Sequence, residues 1–279
     1  MEYYLTRRDI DEYCAALRGD ERSAGTIEKY RRDTEAFVEW LNGRLISKEI
    51  LVAWKEYLIS KDYAPCTINS MLAALNGVFR YKEWPFKVKF LRLQHRLFRE
   101  PERELSREEY NRLLAVAQST GQERLALIME TICSSGIRIS ELHSITVEAL
   151  QVRRATISLK GKIRTILLAD KLCKKLLKYA KKQKIASGEI FITRSGRGIT
   201  RRQVWYEMKR LCKAADVPKS KVFPHNLRRV FAVAFYRVSK DIARLADVLG
   251  HSSIETTRIY LTVSGSDQMR QIERLGLIS

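Results

Sequence analysis

With 279 residues, 45% of them hydrophobic, the chain is long enough for two domains of ordinary size with a real core. It contains no run of eighteen apolar residues, and residues 1–11 lack a basic-then-apolar pattern, so neither a membrane span nor a secretory leader is expected and the protein is placed in the cytosol. A surplus of 52 basic over 32 acidic residues leaves a net charge of +20, more than solubility needs, which implies a polyanionic partner and favours nucleic acid.

The charge is uneven. Residues 1–98 hold 17 Lys/Arg and 14 Asp/Glu, a net of +3, whereas residues 99–279 hold 35 and 18, a net of +17. Because this surplus runs through patterned, foldable sequence, it does not read as a lysine-rich tail or a membrane-surface helix. The five cysteines (Cys14, Cys66, Cys133, Cys173, Cys212) are never closer than 39 residues, so a disulfide framework or a cysteine zinc site is not expected, and the thiols read as reduced and mostly buried.

Along the chain, Thr26 is placed as the cap of a first helix carrying Ile27, Tyr30, Phe37, Val38 and Leu41 on one face, stopped at Asn42-Gly43. Ile50, Leu51, Trp54, Tyr57 and Leu58 give a second, and Pro65 opens a third bearing Ile68, Met71, Leu72, Leu75 and Phe79. Residues 98–104 are charged and aperiodic, and Ser106 with Glu109 makes a capping box for a new helix. The pattern predicts a helical domain over 1–98, a linker over 99–105 and a second domain over 106–279. That second domain is mainly helical with a small β-hairpin: residues 155–159 and 163–168 are β-rich on either side of Lys160-Gly161-Lys162. A further short strand is expected at 190–193, before the Ser195-Gly196-Arg197-Gly198 turn, and Thr200 caps the helix after it. Gly136 and Gly250 read as helix stops, each followed within two residues by a polar side chain, Arg138 and His251.

Four segments of the second domain belong together. They are Ser134-Ser-Gly-Ile-Arg-Ile-Ser-Glu-Leu142, Lys160-Gly-Lys162, Pro224-His-Asn-Leu-Arg-Arg229 and Leu249-Gly-His-Ser-Ser-Ile-Glu-Thr-Thr-Arg-Ile-Tyr260. Each alone has a plain explanation. A tyrosine near a helix end is usually core, a histidine after a helix-stopping glycine is commonly a cap, and Arg138 with Glu141 at i, i+3 suits a surface ion pair. Their coincidence is what carries weight, since two of the chain's four histidines, His225 and His251, fall inside these motifs while His95 and His143 read as structural. No Gly-x-Ser-x-Gly elbow supports Ser135 or Ser140 as a nucleophile, and no His-Glu-x-x-His or clustered acidic set supports a metal hydrolase.

In order and spacing the four segments resemble the tyrosine recombinase family, the phage integrases and Xer-type recombinases. The resemblance implies a helical, SAM-like core-binding domain followed by a mixed α/β catalytic domain. Arg138 matches the first family arginine, with Ile137 in place of the commoner leucine, and Glu141 matches the acidic residue that supports it. His225 and Arg228 match the His-x-x-Arg box, with Arg229 where many members have histidine, and His251 and Tyr260 match the last box. Lys160 matches the hairpin lysine in a turn one residue shorter than the Xer pattern, so Lys162 competes with it.

The chemistry agrees. Breaking a phosphodiester without a metal requires fixed cationic donors on the non-bridging oxygens, a role that suits Arg138 and Arg228. A tyrosine nucleophile stores the bond energy in a covalent ester, but a phenol of pKa near 10 is only about 0.1% ionised at pH 7. It therefore needs a proton acceptor, for which His225 is the candidate. Lys160 or Lys162 could protonate the leaving 5′ oxygen, His251 could donate to transition-state oxygens, and no cofactor or metal is called for. Arg197, Arg201 and Arg202 follow a turn and open a helix, which suits DNA phosphate, as does Lys162 on the hairpin; the lysines of 171–184 read equally as a solvated face or as phosphate contacts.

The expectation is a site-specific recombinase acting on double-stranded DNA through Tyr260, with integration, excision, inversion and resolution all open. The resemblance implies four protomers on two sites, alone or with a related recombinase, passing through a Holliday junction. A type IB topoisomerase and a catalytically silent DNA-binding regulator are the alternatives.

Overall fold

A computed structural model describes residues 2–92, 101–159, 162–193 and 195–261, together with 269 and 273–275. The chain divides into two compact units, Met1–His95 and Arg96–Ser279. Among the described residues no helix is long and apolar enough to cross a membrane.

The first unit is a bundle of four helices: α1 (Arg7–Gly19), α2 (Ala24–Leu41), α3 (Lys48–Ser60) and α4 (Pro65–Tyr81). Its core is built from Ile10, Cys14, Phe37, Trp54, Leu58, Leu72 and Phe79, one stripe from each helix at the 3.6-residue period. Two sequence expectations are corrected here. The bundle begins at Arg7, not at Thr26, because Thr6 and Asp9 form a capping box and Ile10, Tyr13, Cys14 and Leu17 supply a buried face. The helix assigned to Thr26 is capped by Ser23, whose hydroxyl accepts the Thr26 N–H, so Thr26 lies in the first turn. Asn42 ends that helix in the left-handed region at φ 48°, and Pro65 occupies the first turn of α4, both as expected.

The second unit packs α5 (Arg107–Ser119), α6 (Glu123–Ser135), α7 (Val147–Gln151), α8 (Asp170–Lys182), α9 (Arg201–Leu211), α10 (Pro224–Ser239), α11 (Ile242–Leu249) and α12 (Ile254–Leu261) with one hairpin, β1 (Arg154–Leu159) and β2 (Lys162–Leu167). The strands pair antiparallel from Arg154 opposite Leu167 to Leu159 opposite Lys162. Ser106 caps α5 in a capping box with Glu109, and Thr200 caps α9. The strand expected at 190–193 is not one. Among the described residues this stretch shows only an isolated bridge, Ile192 to Gly198, because Ile190 and Phe191 turn into the core and Thr193 closes a tight turn onto the Arg197 carbonyl.

Residues 103–105 are held by this unit. Asn226 donates to the Arg103 carbonyl, Glu104 pairs with Arg229, and Leu105 joins the core. A second, smaller apolar cluster of Ala232, Leu245, Leu249 and Tyr260 lies beside the main one and seats the tyrosine ring.

Candidate active site

Two helix ends set the frame. α6 stops at Gly136 and α11 at Gly250, both with φ +65°, where a glycine avoids the strain that a Cβ would bring. Neither position has room for more. A Cβ on Gly136 would sit 2.4 Å from the Phe231 ring, and one on Gly250 would sit 2.6 Å from Arg164 Cδ.

The last carbonyls of both helices point at Arg228. This arginine on α10 is only 2% exposed and donates from Nη1 to the Gly136 carbonyl (2.5 Å) and from Nη2 to the Leu249 carbonyl (2.6 Å). Helix C-termini carry unsatisfied carbonyls and partial negative charge, so they suit a buried guanidinium. They do not cancel the cost of burying it: desolvation, and then the nearby charge of Arg138, push the Arg228 pKa down to about 10, while Tyr260 acts the other way.

Arg138 leaves the chain two residues after Gly136 and is held by Glu141. The carboxylate accepts the Arg138 backbone N–H at Oε2 (2.6 Å) and its Nη1 at Oε1 (3.0 Å), closing a capping box on the short 3₁₀ turn Ile139–Ser144. Sequence spacing makes this a surface pair, yet Glu141 is 1% exposed. A second arginine explains how it is tolerated there: Arg164 on β2 donates from Nη2 to Glu141 Oε2 (2.7 Å). Sequence reasoning missed Arg164. Its signal is an arginine on the strand face shared with buried Ile166, whereas the neighbouring Ile163 and Leu167 face solvent, the reverse of the usual alternation.

His251 follows Gly250 directly. Its Nε2 lies 3.0 Å from Arg228 Nη2 and its Nδ1 lies 2.8 Å from Thr257 Oγ1. Since a guanidinium only donates, Nε2 is the acceptor and Nδ1 carries the proton toward Thr257, which is fully buried and was also missed. Burial and the charges of Arg228, Arg138 and Arg164 push the His251 pKa down to about 4, so the ring is neutral at pH 7. In this state neither ring nitrogen has a proton free for a further acceptor.

Tyr260 near the end of α12 is 5% exposed and lies between the two histidines. Its ring stacks on His251 at 5.6 Å with an 11° tilt, and its Oη is 3.4 Å from His225 Nε2. His225, in the first turn of α10, is itself exposed. Its pKa is nevertheless lowered, first by desolvation from the atoms packed round the ring and then by Arg228, Arg229, Arg138 and Arg201. A neutral Nε2 can accept the phenol proton.

The structure thus brings Arg138, Glu141, His225, Arg228, His251 and Tyr260 together from segments up to 122 residues apart in the chain, with Arg164 behind them. Lys160 lies outside the described residues, as does His95, and for Lys162 only the strand backbone is described. Arg201 and Arg202 are exposed at the start of α9, on the helix that also exposes Trp205 and Tyr206, and Arg197 is exposed in the turn before it. On α8, Lys175 and Lys182 pair with Glu130 and Glu123, which favours the solvated face over phosphate contact for these two. His143 donates from Nδ1 to its own turn at the Ser140 carbonyl, as a structural histidine would.

Comparison with known proteins agrees with this geometry. Residues 10–85 match the family model described as phage integrase, N-terminal SAM-like domain, and residues 103–266 match the model of the phage integrase family. Among curated relatives, tyrosine recombinase XerA of Thermococcus kodakarensis is 27% identical over 276 residues, covering 96% of this chain and 95% of its own. Tyrosine recombinase XerD of Vibrio vulnificus is 24% identical, covering 88% and 87%. The fold is shared with XerH site-specific recombinase in a post-cleavage complex with a palindromic difH substrate (TM-score 0.71, 19% identity, 98% of this chain and 85% of that one). It is shared equally with a lambda integrase tetramer bound to a Holliday junction (TM-score 0.71, 18% identity, 91% and 76%). With both of its domains matched in order and an arginine, histidine and tyrosine cluster in the second, the chain belongs to the phage integrase family of tyrosine recombinases.

Proposed function

We propose that this chain is a site-specific DNA recombinase that cuts and rejoins double-stranded DNA through Tyr260. The observation that carries the reading is the phenol oxygen, 3.4 Å from His225 Nε2, beside a buried guanidinium that among the described residues donates to two carbonyls and an imidazole rather than to a carboxylate. Arg138 and Arg228 hold the non-bridging oxygens of the scissile phosphate. Tyr260 Oη attacks phosphorus as its proton passes to His225 Nε2; the bond to the 5′ oxygen breaks, leaving a 3′-phosphotyrosyl ester. Lys160 or Lys162 protonates the departing 5′ oxygen. The 5′ hydroxyl of a partner duplex then attacks the ester, returning the phenol, so one phosphodiester is exchanged for another.

His251 has a narrower role than its sequence position implies. While Nε2 accepts from Arg228 it orients that guanidinium, and it becomes a donor to phosphate only after gaining a proton. An entering phosphate, being anionic, favours that gain. Arg197, Arg201 and Arg202 supply phosphate contacts along the duplex, and four protomers act on two sites. Of the apolar tail residues Ile272, Leu275, Leu277 and Ile278, which the tetramer would use to dock on a neighbour, only Leu275 lies within the described residues, and it is exposed. Removing residues 266–279 should weaken pairing of two DNA sites and leave binding to one site intact; unchanged pairing in a gel-shift titration rejects the docking.

The test of the whole reading is covalent trapping on a library of nicked, randomised duplexes. The full chain should yield a protein–DNA adduct that Tyr260→Phe abolishes while duplex binding survives. Two copies of the recovered site on one circular plasmid should then give recombinant circles. Relaxed circles alone would indicate a topoisomerase, and binding without an adduct would indicate a regulator.

A further inference from the structure

Arg164 makes contacts that the proposed reaction does not use. It sits on β2 opposite Ile157 with its side chain 16% exposed, turned to the core side, while Ile163 beside it is 75% exposed. A strand that buries a guanidinium and exposes an isoleucine breaks the alternation that favours folding, and such breaks are retained where a site needs them. Its two ends reach different parts of the pocket. Nη2 donates to Glu141 Oε2 (2.7 Å), the carboxylate that grips Arg138, and Nη1 donates to the Val248 carbonyl (2.7 Å), one residue before the carbonyl that holds Arg228. Its Cδ also fills the space that a side chain on residue 250 would need, against the turn that leads into His251.

We infer that Arg164 is a positioning residue for phosphate cleavage: a crosspiece that fixes the Arg138–Glu141 pair relative to the Leu249–Gly250–His251 turn, and ties both to the hairpin that carries the candidate proton donors Lys160 and Lys162. The inference rests on the recombinase reading. Glu141 is buried among arginines and shares its two oxygens between Arg138 and Arg164. Without Arg164, the carboxylate keeps Arg138 as its sole arginine partner among the described residues. It then draws that guanidinium inward, away from where a phosphate would lie. A displacement of about 1 Å of a transition-state donor is enough for a ~10²-fold loss in rate.

The experiment is a double-mutant cycle on the DNA recovered by covalent trapping. Single-turnover adduct formation at saturating protein is compared for the parent chain, Arg164→Met, Arg138→Ala and the double variant, with binding and thermal melting measured alongside. Arg164→Met should slow adduct formation by about 10- to 100-fold with duplex binding within about twofold of the parent. Arg164→Lys, which keeps the charge but cannot span Glu141 and Val248 together, should recover part of the rate and stands in if the methionine variant does not fold. In the Arg138→Ala background, Arg164→Met should cost less than about threefold, because nothing is left to position. An equal loss in both backgrounds, or a parental rate for Arg164→Met and Arg164→Lys, overturns the inference while leaving the recombinase reading intact. Failure of the parent chain to form any Tyr260-dependent adduct sinks that reading instead.

Discussion

Replacing Arg228 by methionine separates what the buried guanidinium does for the fold from what it does for the reaction. Holding a guanidinium charged when burial has pulled its pKa down from its ordinary value to about 10 costs the folded state roughly 3 kcal/mol at all pH values below about 10, at ~1.4 kcal/mol per tenfold. Methionine removes that penalty and fills a similar volume with an apolar, flexible chain. It also leaves the Gly136 and Leu249 carbonyls without their donor, at ~1–3 kcal/mol for each buried group. The two effects nearly cancel. The net lies between about +1 and −3 kcal/mol, which at ~2–4 °C per kcal/mol for a domain of this size lowers the melting temperature by no more than about 12 °C. The reaction has no such compensation, and loss of one preorganised donor lowers adduct formation by ~10² to 10³. Circular-dichroism melting and single-turnover trapping on the recovered site measure both numbers on the same preparation. A variant that is unfolded at 25 °C, or one that cleaves within tenfold of the parent, would refute the assignment of Arg228 as a donor that the fold hosts at a cost.

Other tests follow from the same geometry. Because His225 is needed neutral and its pKa is lowered, adduct formation at limiting DNA should hold steady as pH falls through 6.5 and decline only further down. His225→Gln should remove that acid limb; a parental midpoint at or above 6.5, or a limb that persists in the variant, rejects His225 as the acceptor. Gly136→Ala combines a left-handed φ of +65° with a Cβ 2.4 Å from Phe231. The backbone part costs ~1–2 kcal/mol. Gly43→Ala, at φ +75° with nothing among the described residues within 4 Å, is the control that carries the backbone part alone, so in thermal melts Gly136→Ala should fall clearly below it. Equal melting temperatures would mean that Phe231 moves aside freely.

Much of this protein is legible along the chain because its devices are local. Ser106 with Glu109, Thr200 with Gln203 and Arg138 with Glu141 are three-residue relations. The glycine stops and the hairpin flanking Lys160-Gly161-Lys162 are likewise set by neighbours, and so is the apolar period of α2 to α4. The helix at Arg7–Gly19 was equally local and was overlooked, its signal being the Thr6–Asp9 box before Ile10, Cys14 and Leu17. At 190–193 local composition misled: the apolar residues there serve the core, and pairing shrinks to a single bridge.

What the sequence determined by itself is the set of polar residues whose order and spacing carry the chemistry, since motif, cap and helix stop depend on residues within one or two turns of each other. Only the tertiary structure decided how those residues are wired. Arg228 meets Gly136 across 92 positions and Leu249 across 21, Arg164 reaches Val248 across 84, and Tyr260 faces His225 across 35. Burial, and the pKa changes that follow from it, exist only once those segments pack. That is why Glu141 reads as half of a surface ion pair in the sequence and proves to be a buried anchor for two arginines, and why Arg164 carries no mark in the sequence beyond an arginine where a strand should be apolar.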